Sequence, residues 1–562
     1  MYTSPARAFD YIVVGAGAAG CVLANRLSAD PAVRVALVEA GPSDRRFPVN
    51  LKTLLPIGNI FLLPHSRYNW MHEFTGGAGV NGRVIGCPRG RLFGGCTSLN
   101  GTVYIRGHRL DYDDWAALGN EGWSYADVLP AFTRHENRAL GTSAFHGTGG
   151  ELDVQRLRDP HALALGFAQA AREAGYPLND DFNGEQQDGF GLFELNQRHG
   201  VRLSSSRAFL HPALSRPNLT VFADTLVERV VLRGARATGV SVRHRGERIE
   251  LSAAVEVVLS AGTINSPQLL MLSGIGAAPV LERHGVRVAH ALPGVGANLQ
   301  DHPTASVAIA NPGGESYAMS WRALARNTAA PWRYAFGRRG MLASNAAEAG
   351  GFMRSNPALD RPDLQFTFMV GMKESARTLP RRHGFVCHVA VLRPATRGSL
   401  ELRSSNPADR PVMHPRFLED RRDVDAMLHG LREARRIMAM PGLARYAGAE
   451  LLPGAAADDD AALEKYIRTT AATTYHPVGT CRMGPASDPA SVVDAQLRVH
   501  GIEGLRVADA SIMPNIIGGN TAAPSMMVGE RAAEFMRRPR SSSPRAELGA
   551  AFAPAPFTLS TP

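Results

Sequence analysis

The chain has 562 residues, 44% apolar and 20% charged, an ordinary globular balance that excludes a disordered, collagen-like or disulfide-scaffold protein and leaves room for two to four lobes with real cores. Its formal charge is +10, but Lys52, Lys373 and Lys465 are the only lysines and the many arginines are spread along the chain, so nucleic acid is not expected as a partner. Five cysteines (Cys21, Cys87, Cys96, Cys387, Cys481), odd in number and without CxxC pairs, exclude a disulfide framework or a zinc site and point to a reducing compartment.

No apolar core follows a basic start at the N-terminus, so no signal peptide is expected. Tyr11, Ile12, Val13 and Val14 form an apolar run that reads as a buried parallel strand. Gly15, Gly17 and Gly20 then match G-x-G-x-x-G, and residues 21–27 have helical spacing. Gly15 permits the tight turn, Gly17 lets a pyrophosphate approach the backbone, and Gly20 lets the helix pack close to the strand. A second strand, residues 33–38, ends at Glu39, which is placed to accept hydrogen bonds from an adenosine ribose and disfavours a 2′-phosphate. This βαβ unit therefore predicts FAD or NAD.

Residues 54–64 (LLPIGNIFLLP) are the longest greasy stretch, far short of a membrane span. They read as a cover over an active site, with a peripheral membrane contact as the alternative, because they lack a sustained amphipathic pattern with a basic face. Four further small-residue segments follow: residues 91–101 (RLFGGCTSLNG), 260–267 (SAGTINSP), 293–302 (PGVGANLQDH) and 518–524 (GGNTAAP). Such loops press backbone against a flat ring, which favours a flavin over a nicotinamide. Residues 255–260 and 505–508 read as strands of the first sheet, which makes that domain discontinuous. Between about 310 and 470 an α+β lobe is predicted. Residues 387–392 and 399–403 alternate like antiparallel strands around the turn 394–398, and Val424, Met427, Leu428, Leu431 and Met438 mark one face of a helix. From Arg537 the chain is Pro-, Ser- and Ala-rich and reads as an unstructured tail.

With the phrases YIRGH, SSRAFLHP, LLMLSGIG, NLQDH, YHPVGTCRMG and VADASIMP in order from Asp10 to about Met536, the chain resembles the glucose–methanol–choline (GMC) oxidoreductases, in particular their bacterial alcohol- and choline-oxidising branch. The resemblance implies a discontinuous, Rossmann-like α/β FAD-binding domain (1–155, 200–310 and 470–536) and an α+β substrate lobe on an antiparallel sheet (156–199 and 311–469). It implies that Gly15, Gly17, Gly20 and Glu39 bind the ADP moiety and that Gly95, Ser98 and Asn100 lie along the flavin. By the same resemblance Val227 meets the adenine, Asp509 and Ala510 flank the ribityl chain, and Thr521 opens a helix aimed at the pyrimidine edge. Leu99 stands where some relatives carry a flavin-linked histidine, so the FAD is expected to be noncovalent.

His476 and Asn520 match the family's catalytic pair. A base with a pKa near the working pH would take the alcohol proton and so promote hydride transfer to flavin N5, and Asn520 would fix the substrate oxygen. Pro477 restricts His476 to extended backbone. The implied reaction is oxidation of a primary alcohol to the aldehyde. The alternatives are choline oxidation, with Tyr475 as one wall of an aromatic cage, or a lyase or photoenzyme on the same fold. The electron acceptor is a quinone or another acceptor, and the location is cytoplasmic, with a peripheral place on the inner membrane as the variant. His302 is expected to have a packing role. Asn520 could also cap the following helix, Cys96 and Cys481 are read as space-filling thiols, and Glu348 is read as a solvated or capping carboxylate before a cation-binding one.

Overall fold

A computed structural model describes residues 8–372 and 381–537. Two seven-stranded sheets organise them. In the first, strands Leu219–Phe222, Val35–Val38, Ala8–Val14 and Glu247–Leu259 lie side by side, all parallel. Leu505–Val507 adds a fifth parallel strand on Glu247–Leu259. The predicted strands at 11–14, 33–38, 255–260 and 505–508 are thus all present in one sheet. Their unbroken apolar runs suit this position, because helices cover the faces of a parallel sheet. The outer half of Glu247–Leu259 continues into an antiparallel meander with Arg236–His244 and Thr225–Arg233.

Helix Ala18–Leu27 packs on this sheet together with the last helix, Ala522–Arg537. They come close at Gly529, where a Cβ would stand 2.7 Å from the carbonyl oxygen of Ala19. Beside it Arg26 reaches the buried carboxylate of Glu530 at 2.7 Å.

The second sheet runs Glu450–Leu452, Pro303–Ala310, Gly384–Val391, Leu364–Met369, Ala349–Met353, Gly189–Leu192, with Ala472–Thr473 pairing Pro303–Ala310. The strand Pro303–Ala310, placed by sequence in the first lobe, is therefore an interior strand of the second sheet. Ser306 stands opposite His388, and His388 opposite Thr367, so these three side chains form one row across the sheet. Alternation separates two faces. Val307, Phe366, Phe368 and Val389 are buried on one side, and helix Arg421–Met438 packs against Val389 through Gly430. The helix buries Val424, Met427, Leu428, Leu431 and Met438, the face read from sequence.

The predicted pairing of 387–392 with 399–403 does not form. Gly384–Val391 already has a neighbour along each edge, so Ser399–Glu401 pairs with Val412–His414 instead. Arg537 closes the last helix, and the rest of the predicted tail lies outside the described residues. Among the described residues no helix is long and apolar enough to cross a membrane.

Candidate active site

The parallel strands of the first sheet end together at Val14, Val38, Leu259 and Val507, and a cavity of about 810 Å³ opens beyond them. Ligands of open α/β sheets bind beyond these carboxyl ends. Gly15 has φ +101°, and a Cβ there would lie 2.5 Å from the Ser260 carbonyl oxygen; one on Gly20 would lie 1.9 Å from that of Gly15. At Gly17 the nearest protein atom to such a Cβ is 3.8 Å away, so what a side chain would occupy is the cavity itself. Gly17 is also the N-cap of helix Ala18–Leu27, whose first amides no side chain caps. That combination of open backbone and uncapped N–H groups fits a pyrophosphate.

Glu39 lines the same cavity. Its Oε2 accepts from Ala16 N–H at 2.9 Å and its Oε1 from Gly41 N–H at 2.8 Å, which ties the glycine turn to the second strand. Burial pushes its carboxyl up to about 7, against the pull of those two amides. Val227, on strand Thr225–Arg233, lines the cavity beside it. Gly95 has φ +50°, and a Cβ there would sit 2.9 Å from the Gly17 Cα, so the second glycine loop rests directly on the first. Asn100 accepts from the Arg202 guanidinium at 2.9 Å and from Thr102 N–H at 3.0 Å. Asp509 accepts from Gly262 N–H at 2.9 Å, Ser266 Oγ at 2.6 Å and Ser511 N–H at 2.8 Å. Asn100, Asp509, Ala510 and Thr521 all line the cavity.

Ser98 departs from expectation. It is fully buried, donates to the Phe93 carbonyl at 2.7 Å and does not reach the cavity, because it closes the turn that carries the loop. Gly20 is likewise behind the surface, as its packing role requires.

The second lobe supplies the opposite wall. His476 is half-buried, with its Nε2 3.2 Å from Asn520 Nδ2. Asn520 Oδ1 accepts from Gln365 Nε2 at 3.1 Å, which turns the amide nitrogen toward the imidazole. Nε2 is therefore unprotonated and accepts from Asn520 through its lone pair, and the ring proton sits on Nδ1. That atom lies 3.0 Å from Thr474 Oγ1 and 3.1 Å from His302 Nδ1. Burial holds the His476 pKa well below the ordinary imidazole value, aided by His302 and Arg89. The backbone around it is fixed by the buried Asp301, which accepts the N–H of both His302 and His476 at 2.8 Å and the Thr473 hydroxyl. Burial raises Asp301 to about 6. Tyr475, next to His476, has φ +67°, and its carbonyl accepts from Arg89 Nη2 at 2.6 Å.

His302 thus touches His476 directly and is more than packing. The two lie 174 residues apart, and no local spacing could have paired them. Gln365, Ser306, Thr367 and His388, also absent from the sequence reading, project from the second sheet into the cavity; their signal was only the polar half of alternating strands. Asn520 does not cap the last helix: the helix begins at Ala522, and the Asn520 amide is spent on His476 and Gln365. Cys96 is exposed to the cavity, unlike the buried Cys481. Glu348 is 1% exposed, so it is not solvated. It accepts from His161 N–H at the start of helix Ala162–Glu173 at 2.6 Å and from Ser344 Oγ at 2.5 Å, away from the cavity. Ile57, Asn59, Ile60 and Leu63, from the greasy segment, line one side of the cavity.

Comparison with known proteins accords with this arrangement. Residues 9–304 match the N-terminal and residues 394–529 the C-terminal model of the GMC oxidoreductases. The chain is 43% identical over 534 residues to an alcohol dehydrogenase [acceptor] of Pseudomonas putida, covering 94% of this chain and 96% of that protein. It is 42% identical to mitochondrial choline dehydrogenase of Mus musculus, over 94% and 89% of the two chains. Among solved structures, pyridoxine 4-oxidase from Mesorbium loti superposes with a TM-score of 0.84 at 31% identity, covering 94% of this chain and 98% of that one. The open bed over Gly17, the uncapped helix start and the long cavity fit FAD, the cofactor of that family. The chain belongs to the GMC oxidoreductases, flavoenzymes that act on CH–OH donors.

Proposed function

We propose that the protein oxidises an uncharged primary alcohol to the aldehyde, with His476 as base and Asn520 holding the substrate oxygen. One observation carries this reading: the unprotonated Nε2 of His476 and the amide of Asn520 converge, 3.2 Å apart, on the cavity wall facing the glycine bed. A hydroxyl that takes the place of their mutual hydrogen bond donates its proton to Nε2 and accepts from the Asn520 amide as negative charge grows on the oxygen. The depressed His476 pKa keeps the ring neutral and ready at pH 7. Bound FAD supplies the two-electron acceptor for the hydride released from the carbinol carbon.

In this reading Gly15, Gly17 and the start of helix Ala18–Leu27 hold the pyrophosphate, and Glu39 and Val227 the adenosine. Gly95, Asn100, Asp509, Ala510 and Thr521 bed the rest of the cofactor, while Ser98 braces the loop from behind. The binding is noncovalent, supported by the aliphatic Leu99 at the cavity wall.

Choline is the weaker substrate. Glu39 and Asp509 are the only carboxylates lining the cavity among the described residues, and both lie at the ends of the first sheet, engaged with backbone amides. Among the described residues no carboxylate stands at the second sheet to neutralise a quaternary ammonium, where Thr304, Ser306, Gln365 and Thr367 offer uncharged polar groups. The electrons pass to a quinone or another acceptor, in line with the [acceptor] enzyme among the relatives. A cytoplasmic site, with a peripheral place on the inner membrane, suits five free cysteines.

Anaerobic mixing of the FAD-loaded protein with a series of uncharged primary alcohols and with choline tests this. The alcohols bleach the flavin and choline does so far more slowly. Bleaching by choline alone reassigns the substrate, and no bleaching by any of them leaves a lyase or photoenzyme.

A further inference from the structure

The turn Trp321–Ala323 and the helix Leu324–Gly337 carry their large apolar side chains outward. Trp321 is 81% exposed, Leu324 61%, Trp332 67% and Phe336 84%. Positions 324, 328, 332 and 336 repeat every four residues and share one helix face. Trp332 and Phe336 stack at 6.0 Å and 5°, making one flat slab. Ala330 and Tyr334 anchor the opposite face to the protein. Single exposed apolar residues are unremarked on any surface, but a contiguous aromatic face is a contact waiting for a partner.

The charge around this face identifies the partner. Arg322, Arg326, Arg333, Arg338 and Arg339 surround it, and residues 316–347 contain no Asp or Glu. Arg333 reaches Asp159 at 3.3 Å; the other four meet no carboxylate within 4 Å among the described residues. Arg322 and Arg326 extend over the backbone carbonyls of Pro312, Glu315 and Ser316, at the root of the turn.

We infer that this face docks on an anionic phospholipid bilayer, with helix Leu324–Gly337 lying flat in the interface. Tryptophan and phenylalanine seat in the headgroup–acyl boundary, and arginine pairs with phosphate through its planar fork. A second copy of this chain is the poorer occupant, because it would bring five arginines against five. The inference does not depend on the reaction proposed above, but it gives that reaction a place. Tyr317, which lines the cavity, is four residues from Trp321, at most about 14 Å of chain, so the docked surface lies close to the reaction chamber.

The test uses the full-length, FAD-loaded protein and two vesicle preparations, phosphatidylcholine alone and phosphatidylcholine with about one third phosphatidylglycerol. Co-sedimentation with the anionic vesicles, weakened by added salt, and a blue shift of tryptophan emission are expected. The double substitution Trp332→Ser/Phe336→Ser lowers the partition at least about tenfold while flavin absorbance and turnover of a water-soluble alcohol stay unchanged. Arg339→Glu, at an exposed position past the end of the helix, weakens the preference for phosphatidylglycerol. The proposal is overturned if the wild type does not sediment with anionic vesicles or if the double variant binds them equally well. It is also overturned if the protein forms a dimer that the double variant dissolves, which assigns the face to self-association.

Discussion

At His476 the surroundings set both the protonation state and the direction of the lone pair. Gln365 orients Asn520, Asn520 donates to Nε2, and Asp301 holds the two histidine backbones together. His476→Ala should lower kcat at least about a hundredfold with FAD absorbance retained, the size of effect expected for a positioned base; stopped-flow flavin reduction checks it. The sign of the pH effect follows from the depressed pKa. With His476 as the proposed base a neutral ring is the active form, so activity is expected to be lost as pH falls through the folded-state pKa. kcat/KM should stay flat as pH falls through 6.5, the ordinary imidazole value, and decline only below it; a limb centred at or above 6.5 contradicts the geometry. The glycines at 15, 17 and 20 were legible in the sequence because their steric demand is local. The contact between His302 and His476 was not, because it exists only after two distant strands close on each other. Ser98 shows the converse: the family resemblance placed it in the right loop, but only backbone conformation decides which side of the loop a residue faces.

Elements whose pattern is periodic were readable, and those defined by partners were not. Helix Arg421–Met438 followed its apolar stripe, whereas the strand Gly384–Val391 found neighbours that no local pattern names. Helix contacts carry the same lesson at Gly529, where small size is needed by another element. Gly529→Ala gains about 1 kcal/mol of helix propensity. Against this, its Cβ would meet the Ala19 carbonyl at 2.7 Å and the Val22 Cβ at 3.0 Å. Backbone does not yield as a side-chain tip does, and overpacking costs about 1–3 kcal/mol, so the net effect is destabilising. A lower Tm of the holoenzyme in thermal unfolding is the expected result, and an unchanged or raised Tm would show that the two helices separate easily.

For the whole molecule, the cavity proposed to hold the cofactor is lined by segments near 15–19, 39, 95–100, 227, 262 and 509–521, drawn from nearly the full length of the chain. FAD bound there bridges pieces that the backbone alone joins only distantly. Stripping FAD should lower the unfolding temperature, and readdition at a hundredfold excess over Kd should restore about 2.7 kcal/mol, read by calorimetry on apo and reconstituted protein. An apoprotein as stable as the holoenzyme would show that the bed is held by protein contacts alone. The nucleotide half of this plan was visible in the sequence through its fingerprint. The substrate half was visible only as a lobe, since Gly189–Leu192 joins Ala349–Met353, and Glu450–Leu452 and Ala472–Thr473 join Pro303–Ala310, across more than 100 residues each.

The division of labour across the second sheet has an evolutionary corollary. Val307, Phe366 and Val389 secure the fold from one side, while Ser306, Thr367 and His388 stand in a row on the other with little burden of support. Selection can therefore exchange residues of that row and redirect the enzyme toward a new compound while its architecture is inherited intact, so close relatives of this chain can diverge in diet before they diverge in shape.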